Sequence, residues 1–155
     1  GDAAARELGK RVAQLEELQR LLLILQGEIR CVRLTLPAVC ELLAKDAKAP
    51  FQQFFWKVSE DLGKRTGQTA GEIWSRNLKE IQKLLFLTKK EQQDLEEFGQ
   101  LLGRMDMPMQ LSAIQFYQEK IMLSLAEAKA AADSRQKLYR YLGALGGAAL
   151  VLVIM

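Results

Sequence analysis

Two cysteines, three pairs of adjacent carboxylates and a glycine-spaced apolar run are the features of this 155-residue sequence that could carry chemistry. There is no histidine. That removes the commonest general base, the commonest metal ligand and every nucleophile that relies on an imidazole. Cys31 and Cys40 lie nine residues apart, on either side of a turn expected at Pro37. Their spacing fits no zinc pattern. A redox pair is the alternative to the reading adopted here, two small apolar side chains in a reduced interior. Glu16-Glu17, Glu60-Asp61 and Glu96-Glu97 are sequence neighbours. On a helix such neighbours point about 100° apart and cannot share a proton, so they read as solvated faces. Gly143, Gly146 and Gly147 are not followed by Lys-Ser or Lys-Thr, so no phosphate loop is present. The sequence therefore reads as non-enzymatic, with no metal, no cofactor and no small-molecule substrate.

Composition supports one folded domain. The hydrophobic fraction is 49% and the charged fraction 26%, with 22 Lys and Arg against 19 Asp and Glu for a net charge of +3. Such a chain can bury a core and is not intrinsically disordered. Residues 1–35, 36–105 and 106–155 each carry a net +1. Nucleic-acid binders concentrate their charge, so no nucleic-acid partner is expected.

The elements that position these residues are all helical. Apolar residues recur at helical spacing throughout, and no segment alternates with a period of two. A first helix is expected over 3–32, with Leu15, Leu18, Leu22, Leu25, Ile29 and Val32 stepping by three and four to form a packing seam. Pro37 suits the first turn of a second helix with its body over 38–47. Pro50 opens a third that runs to about residue 65, whose aromatic residues Phe51, Phe54, Phe55 and Trp56 are expected in the core rather than in an exposed patch. Thr69 and Glu72, then Thr88 and Glu91, have capping-box spacing and open the fourth and fifth helices. The fourth is expected to carry Ile73, Trp74, Leu78, Ile81 and Leu85; the fifth is expected to stop at Gly103. Asp106 caps the last helix, with Pro108 in its first turn, and no breaker follows before Leu142. The fold class is all-α: a six-helix bundle with long first and last helices, the last running into a truncated transmembrane helix.

Residues 141–155 carry no charge. Fifteen helical residues span about 22 Å, short of the roughly 30 Å hydrocarbon core, and the run ends still apolar. It therefore reads as the start of a C-terminal transmembrane helix over 141–155, with 1–140 as a cytoplasmic helical-bundle domain. Arg135, Lys137, Tyr139 and Arg140 precede it as the membrane-interface anchor. Gly143 and Gly147 form a Gly-x-x-x-Gly, a spacing at which helices approach closely in lipid. Gly1 is not an initiator Met, so an upstream segment is also expected. The densest charge run, which the fifth helix is expected to expose, is Lys89, Lys90, Glu91, Asp94, Glu96 and Glu97. Within it Lys89, Lys90, Asp94 and Glu97 are the partner-docking candidates, against the reading of a merely solvated face.

Several stretches carry a family resemblance over nearly the whole chain. They are Gln14-Leu15 through Glu28-Ile29-Arg30 followed by Leu36-Pro37; Ala70-Gly71-Glu72-Ile73-Trp74; Leu101-Leu102-Gly103-Arg104-Met105-Asp106 with Gln110; and Lys137-Leu138-Tyr139-Arg140-Tyr141-Leu142-Gly143. Their order resembles the stage III sporulation protein AB family of endospore-forming bacteria, itself similar to the F-type inner-membrane platform proteins of type II secretion and type IV pili. The cysteine pair is not part of that pattern. The resemblance implies a component of the channel apparatus between mother cell and forespore. It further implies a place in the mother-cell membrane surrounding the forespore, the bundle on the mother-cell cytoplasmic side, and contacts with a secretion-type ATPase and other channel membrane proteins. The alternative class is a tail-anchored helical adaptor that binds a partner helix.

Overall fold

The computed structural model describes the backbone of residues 2–31, 34–104 and 107–154, and the side chains of residues 2–30, 34–104 and 110–146. The described residues form six α-helices and one 3-10 turn, with no strand. The helices are α1 (Asp2–Cys31), α2 (Leu36–Asp46), α3 (Phe51–Gly63), α4 (Ala70–Glu80), α5 (Lys89–Arg104) and α6 (Met107–Ile154); the 3-10 turn is Gln82–Leu84.

The start signals hold in detail. Thr69 Oγ1 accepts from the Glu72 N–H at 3.1 Å. Thr88 Oγ1 accepts from the Glu91 N–H at 3.2 Å, and the Glu91 carboxylate accepts from the Thr88 N–H at 2.9 Å, a complete capping box. The second helix has Pro37 in its first turn, as expected, and Thr35 caps it. The fourth ends at Glu80, so Ile81 and Leu85 lie beyond it, although both are buried. The segment that follows is held from a distance in sequence. Gln14 of α1 donates from Nε2 to the Leu84 carbonyl at 2.9 Å and accepts from the Phe86 N–H at 2.8 Å. That pins the 82–86 segment in a turn. Gly103 does not stop α5, which continues to Arg104. A Cβ there would lie 3.2 Å from that of Ala70, so the residue serves close packing of α5 on the start of α4.

The helices enclose one apolar core. It draws Leu15, Leu22, Leu25 and Ile29 from α1, Phe51, Phe54, Phe55 and Val58 from α3, Trp74 from α4, Phe98 from α5, and Ile114, Tyr117 and Ile121 from α6. Phe51, Phe54 and Phe55 are core residues as expected, whereas Trp56 is half exposed. The α1 and α6 helices run antiparallel in one register, fixed by Gln26 on Gln118 at 3.4 Å and Glu16 on Lys129 at 3.9 Å.

The last helix is unbroken through the apolar run, as its lack of breakers predicts. The expected truncated transmembrane helix is a different matter. Among the described residues no helix is long and apolar enough to cross a membrane. Only Tyr141 to Gly146 of the run have described side chains, and Asp133, Arg135, Lys137 and Arg140 directly precede them. Asp106, the side chains of Cys31 and Pro108, and the surroundings of Gly147 lie outside the described residues.

Candidate functional site

The charged run at the start of α5 is sorted by what packs on it. Glu91 is buried, completing the capping box and pairing with Arg11, whose Nε donates to it at 3.0 and 3.1 Å. That hydrogen bond holds the Arg11 guanidinium above its ordinary pKa against the opposing effect of burial. Asp94 is also buried, 3.5 Å from the Lys120 ammonium. Lys120 is shared with Glu97 at 3.3 Å and rests over the Phe116 ring at 4.5 Å. Glu96 accepts from the Ser75 hydroxyl at 2.5 Å.

The expectation that all six charges are exposed is therefore corrected. Glu91 and Asp94 face α1 and α6, and only Lys89, Lys90 and Glu97 are exposed. Lys89 and Lys90 stand in the first turn of α5, where the helix dipole disfavours positive charge. Local stability does not account for that pair.

Behind this surface lies a rigid aromatic stack that sequence reading located only in part. Trp74 makes edge contacts with Phe54, Phe55 and Phe98, at centroid distances of 4.9, 6.0 and 6.4 Å, and Phe98 stacks on Tyr117 at 4.7 Å. The Trp74 Nε1–H donates to the Leu95 carbonyl at 3.2 Å. Gly99 lies against the indole, and a Cβ there would fall inside the ring. Gln100 donates to the Gly71 carbonyl at 2.9 Å, and a Cβ on Gly71 would collide with that amide. No local pattern marks Gly99 for this role.

The second surface is the far part of α6. Burial on this helix stops at Ala128. Beyond it Arg135, Lys137, Tyr139 and Arg140 are exposed, with Leu138, Tyr141, Leu142 and Leu145 uncovered beside them. The four expected anchor residues are thus together on an uncovered stretch of helix. Gly143 is surrounded by open space, with no helix packed against it.

Two deeply buried titratable groups could suggest chemistry, and their surroundings argue otherwise. Burial pushes the Cys40 thiol up to about 12, so it stays protonated and unreactive. Burial also pushes the Tyr117 phenol up, helped by the Asp94 and Glu91 carboxylates. The other ionisable groups with a strong environment are structural. Burial pushes the Glu17 carboxyl up, but Arg20 at 2.7 Å and the Lys48 N–H at 2.6 Å outweigh it and hold it below its usual range. Asp61 is held low by its hydrogen bond from Asn77 at 3.1 Å, against burial, with Arg76 at 2.8 Å adding to the effect.

This arrangement, an all-helical bundle with a long uncovered terminal helix and a fixed α4–α5 aromatic stack, has counterparts. A family model described as stage III sporulation protein AB matches residues 1–155. The chain belongs to that family. It is similar, at 29% identity over 155 residues, to the stage III sporulation protein AB of Bacillus subtilis (strain 168), with 100% of this chain and 90% of that protein aligned. The solved structure of a stage III sporulation protein AB (SpoIIIAB) matches with a TM-score of 0.70 and 28% identity, over 80% of this chain and 97% of that one. The stretches that carried the family resemblance have concrete tasks in this fold. Gly71 and Trp74 make the α4–α5 contact, and Gln110 ties the start of α6 to the Leu102 carbonyl at 3.2 Å.

Proposed function

We propose that this chain is a non-enzymatic, membrane-anchored component of the secretion-like channel complex between mother cell and forespore. In this reading α6 carries the chain into the membrane through residues 141–155, and the bundle stands on the mother-cell cytoplasmic side. The observation that carries it is the uncovered stretch of α6. After Ala128 the helix leaves the bundle, and Leu138, Tyr141, Leu142 and Leu145 are exposed, each by more than half of its surface. Apolar surface concentrated on a helix that the domain does not cover marks an interaction site. The basic and aromatic residues just before the run suit a cytoplasmic membrane interface. Membership of a stage III sporulation family supplies the biological setting. Cys40 and Tyr117, both buried and held protonated, support a non-enzymatic role.

The docking of a secretion-type ATPase is assigned in this reading to the exposed Lys89, Lys90 and Glu97. Asp94 acts from beneath by holding Lys120 and is not itself a contact. Purification of the full-length protein from membranes of sporulating cells, followed by mass spectrometry, tests the proposal. Recovery of a secretion-type ATPase with other channel membrane proteins is the expected result. Recovery of soluble regulators alone overturns it in favour of a tail-anchored adaptor.

A further inference from the structure

Two large apolar side chains of α6 stay uncovered on the part of the helix that packs in the bundle. Phe116 is 54% exposed and Leu123 69%, whereas Ile114, Tyr117 and Ile121 on the other side of the same turns are buried. Residues seven apart on a helix share a face. The two therefore form one ridge, and Glu119, Lys120 and Glu127 lie along it with them.

The ring at the head of this ridge is held in place. Lys120 rests over Phe116 at 4.5 Å. The same ammonium is 3.5 Å from buried Asp94 and 3.3 Å from exposed Glu97, both on α5. Phe116 lines one crevice with Glu97 and Leu101, which the fold brings to it from the neighbouring helix. An aromatic side chain fixed before a partner arrives loses little freedom on binding, and exposed rings of this kind are common anchors of interfaces.

The charges beside the ridge are mostly negative. Glu97, Glu119 and Glu127 are exposed. Among the described residues Glu119 and Glu127 form no ion pair, and Glu127 acts on Arg11 only at a distance. Against them stand Lys120, already shared by two carboxylates, and Lys90, two turns before Glu97.

We propose that the α5–α6 face around Phe116 and Leu123 receives an amphipathic helix of the docked ATPase, with an apolar stripe flanked by Lys or Arg. The inference rests on the docking proposed above, extends it from Glu97 onto α6 and adds the chemistry of the partner element. An uncovered apolar ridge is matched by an apolar stripe. The carboxylates around it select basic flanks, because like charges brought together at an interface are penalised. The ridge is separate from the membrane anchor, since it lies before Ala128, where burial on α6 stops.

The test measures binding of the secretion-type ATPase of the same sporulating cells, purified, to the full-length protein in lipid nanodiscs by biolayer interferometry. Phe116→Ser is expected to raise Kd about thirty-fold and Leu123→Ser about ten-fold, with unchanged thermal unfolding. Glu119→Lys removes no packing and is expected to weaken binding and slow association. Leu23→Ser, on α1 and 59% exposed, should leave Kd unchanged. An unchanged Kd in Phe116→Ser overturns the inference. So does tighter binding of Glu119→Lys, since that assigns an acidic partner element. Loss of self-association in Phe116→Ser by light scattering, with ATPase affinity intact, also overturns it and gives the ridge to a second copy of the chain. A wild-type protein that does not bind the ATPase defeats the docking reading and the inference with it, whereas binding that Phe116→Ser leaves intact defeats the inference alone.

Discussion

Gly99 and Trp74 are fitted to each other so closely that no side chain can stand at position 99 while the indole keeps its place. The contact joins α5 to α4 at the middle of the aromatic stack, and the Trp74 Nε1–H bond to the Leu95 carbonyl locks the ring from the same side. The exposed face of α5 is thereby held in one orientation by a buried contact behind it.

Gly99→Ala is expected to destabilise the fold by about 3 kcal/mol, because a methyl group forced into a packed core moves its neighbours. Gly has the poorer helix propensity, so a surface glycine replaced in the same way would be neutral or stabilising. Urea unfolding followed by far-UV circular dichroism checks the magnitude. The near-UV signal of Trp74 should weaken in the same variant. An unchanged midpoint would mean that the indole has another place to go.

The charged run on α5 should divide sharply under mutation. Glu91→Ala removes a cap acceptor and leaves Arg11 without its carboxylate, which costs about 2 to 3 kcal/mol. Thr88→Ala costs about 1 kcal/mol through the lost cap. Lys89→Ala and Lys90→Ala should stay within about 0.5 kcal/mol, since exposed side chains without partners contribute little. Thermal or urea unfolding of the four variants distinguishes this pattern from a uniformly solvated face, which predicts four small effects.

Stability should fall in acid through two identified carboxylates. Asp61 and Glu17 are both held below their ordinary range in the fold. A group with a depressed folded pKa contributes its full stabilisation above the unfolded value, about 4 for these side chains. It loses that contribution as pH falls through the folded value. The loss should therefore lie below about pH 4 and be absent between pH 5 and 8. Asp61→Asn and Glu17→Gln should each flatten the acid limb of a stability-against-pH curve. A limb that kept its slope in the double variant would locate the titration elsewhere.

Cys40 should behave as an inert thiol. Its burial and its raised pKa of about 12 predict negligible alkylation by iodoacetamide at pH 8 in the native protein and rapid alkylation in denaturant. Peptide mass spectrometry reads Cys40 separately from Cys31. Rapid native labelling would restore the redox reading.

The legible part of this fold was local. Thr69 with Glu72 and Thr88 with Glu91 marked two helix starts because a cap and its partner are three residues apart. The periodic apolar residues of α1 marked the core because helical repetition is visible in one segment. What escaped reading depends on contacts across the chain. The turn after α4 is clamped by Gln14, about seventy residues upstream of the backbone that it holds. The burial of Glu91 and Asp94 depends on Arg11 and Lys120, which lie on other helices. Thr35 caps α2 with Ala38, not Glu or Gln, three residues on, so no capping box marks it. On the candidate surfaces, the basic and aromatic anchor of α6 was readable as a run.

What touches the exposed start of α5 in the cell decides whether this protein docks an ATPase there. A photo-crosslinking amino acid placed at Lys90 of the full-length protein in sporulating cells, with the same probe at half-exposed Trp56 on α3 as comparison, measures this directly. The expected result is a crosslink from position 90 to a secretion-type ATPase and none from position 56. A crosslink from position 56 alone, or from neither position in cells that contain the assembled complex, would contradict it.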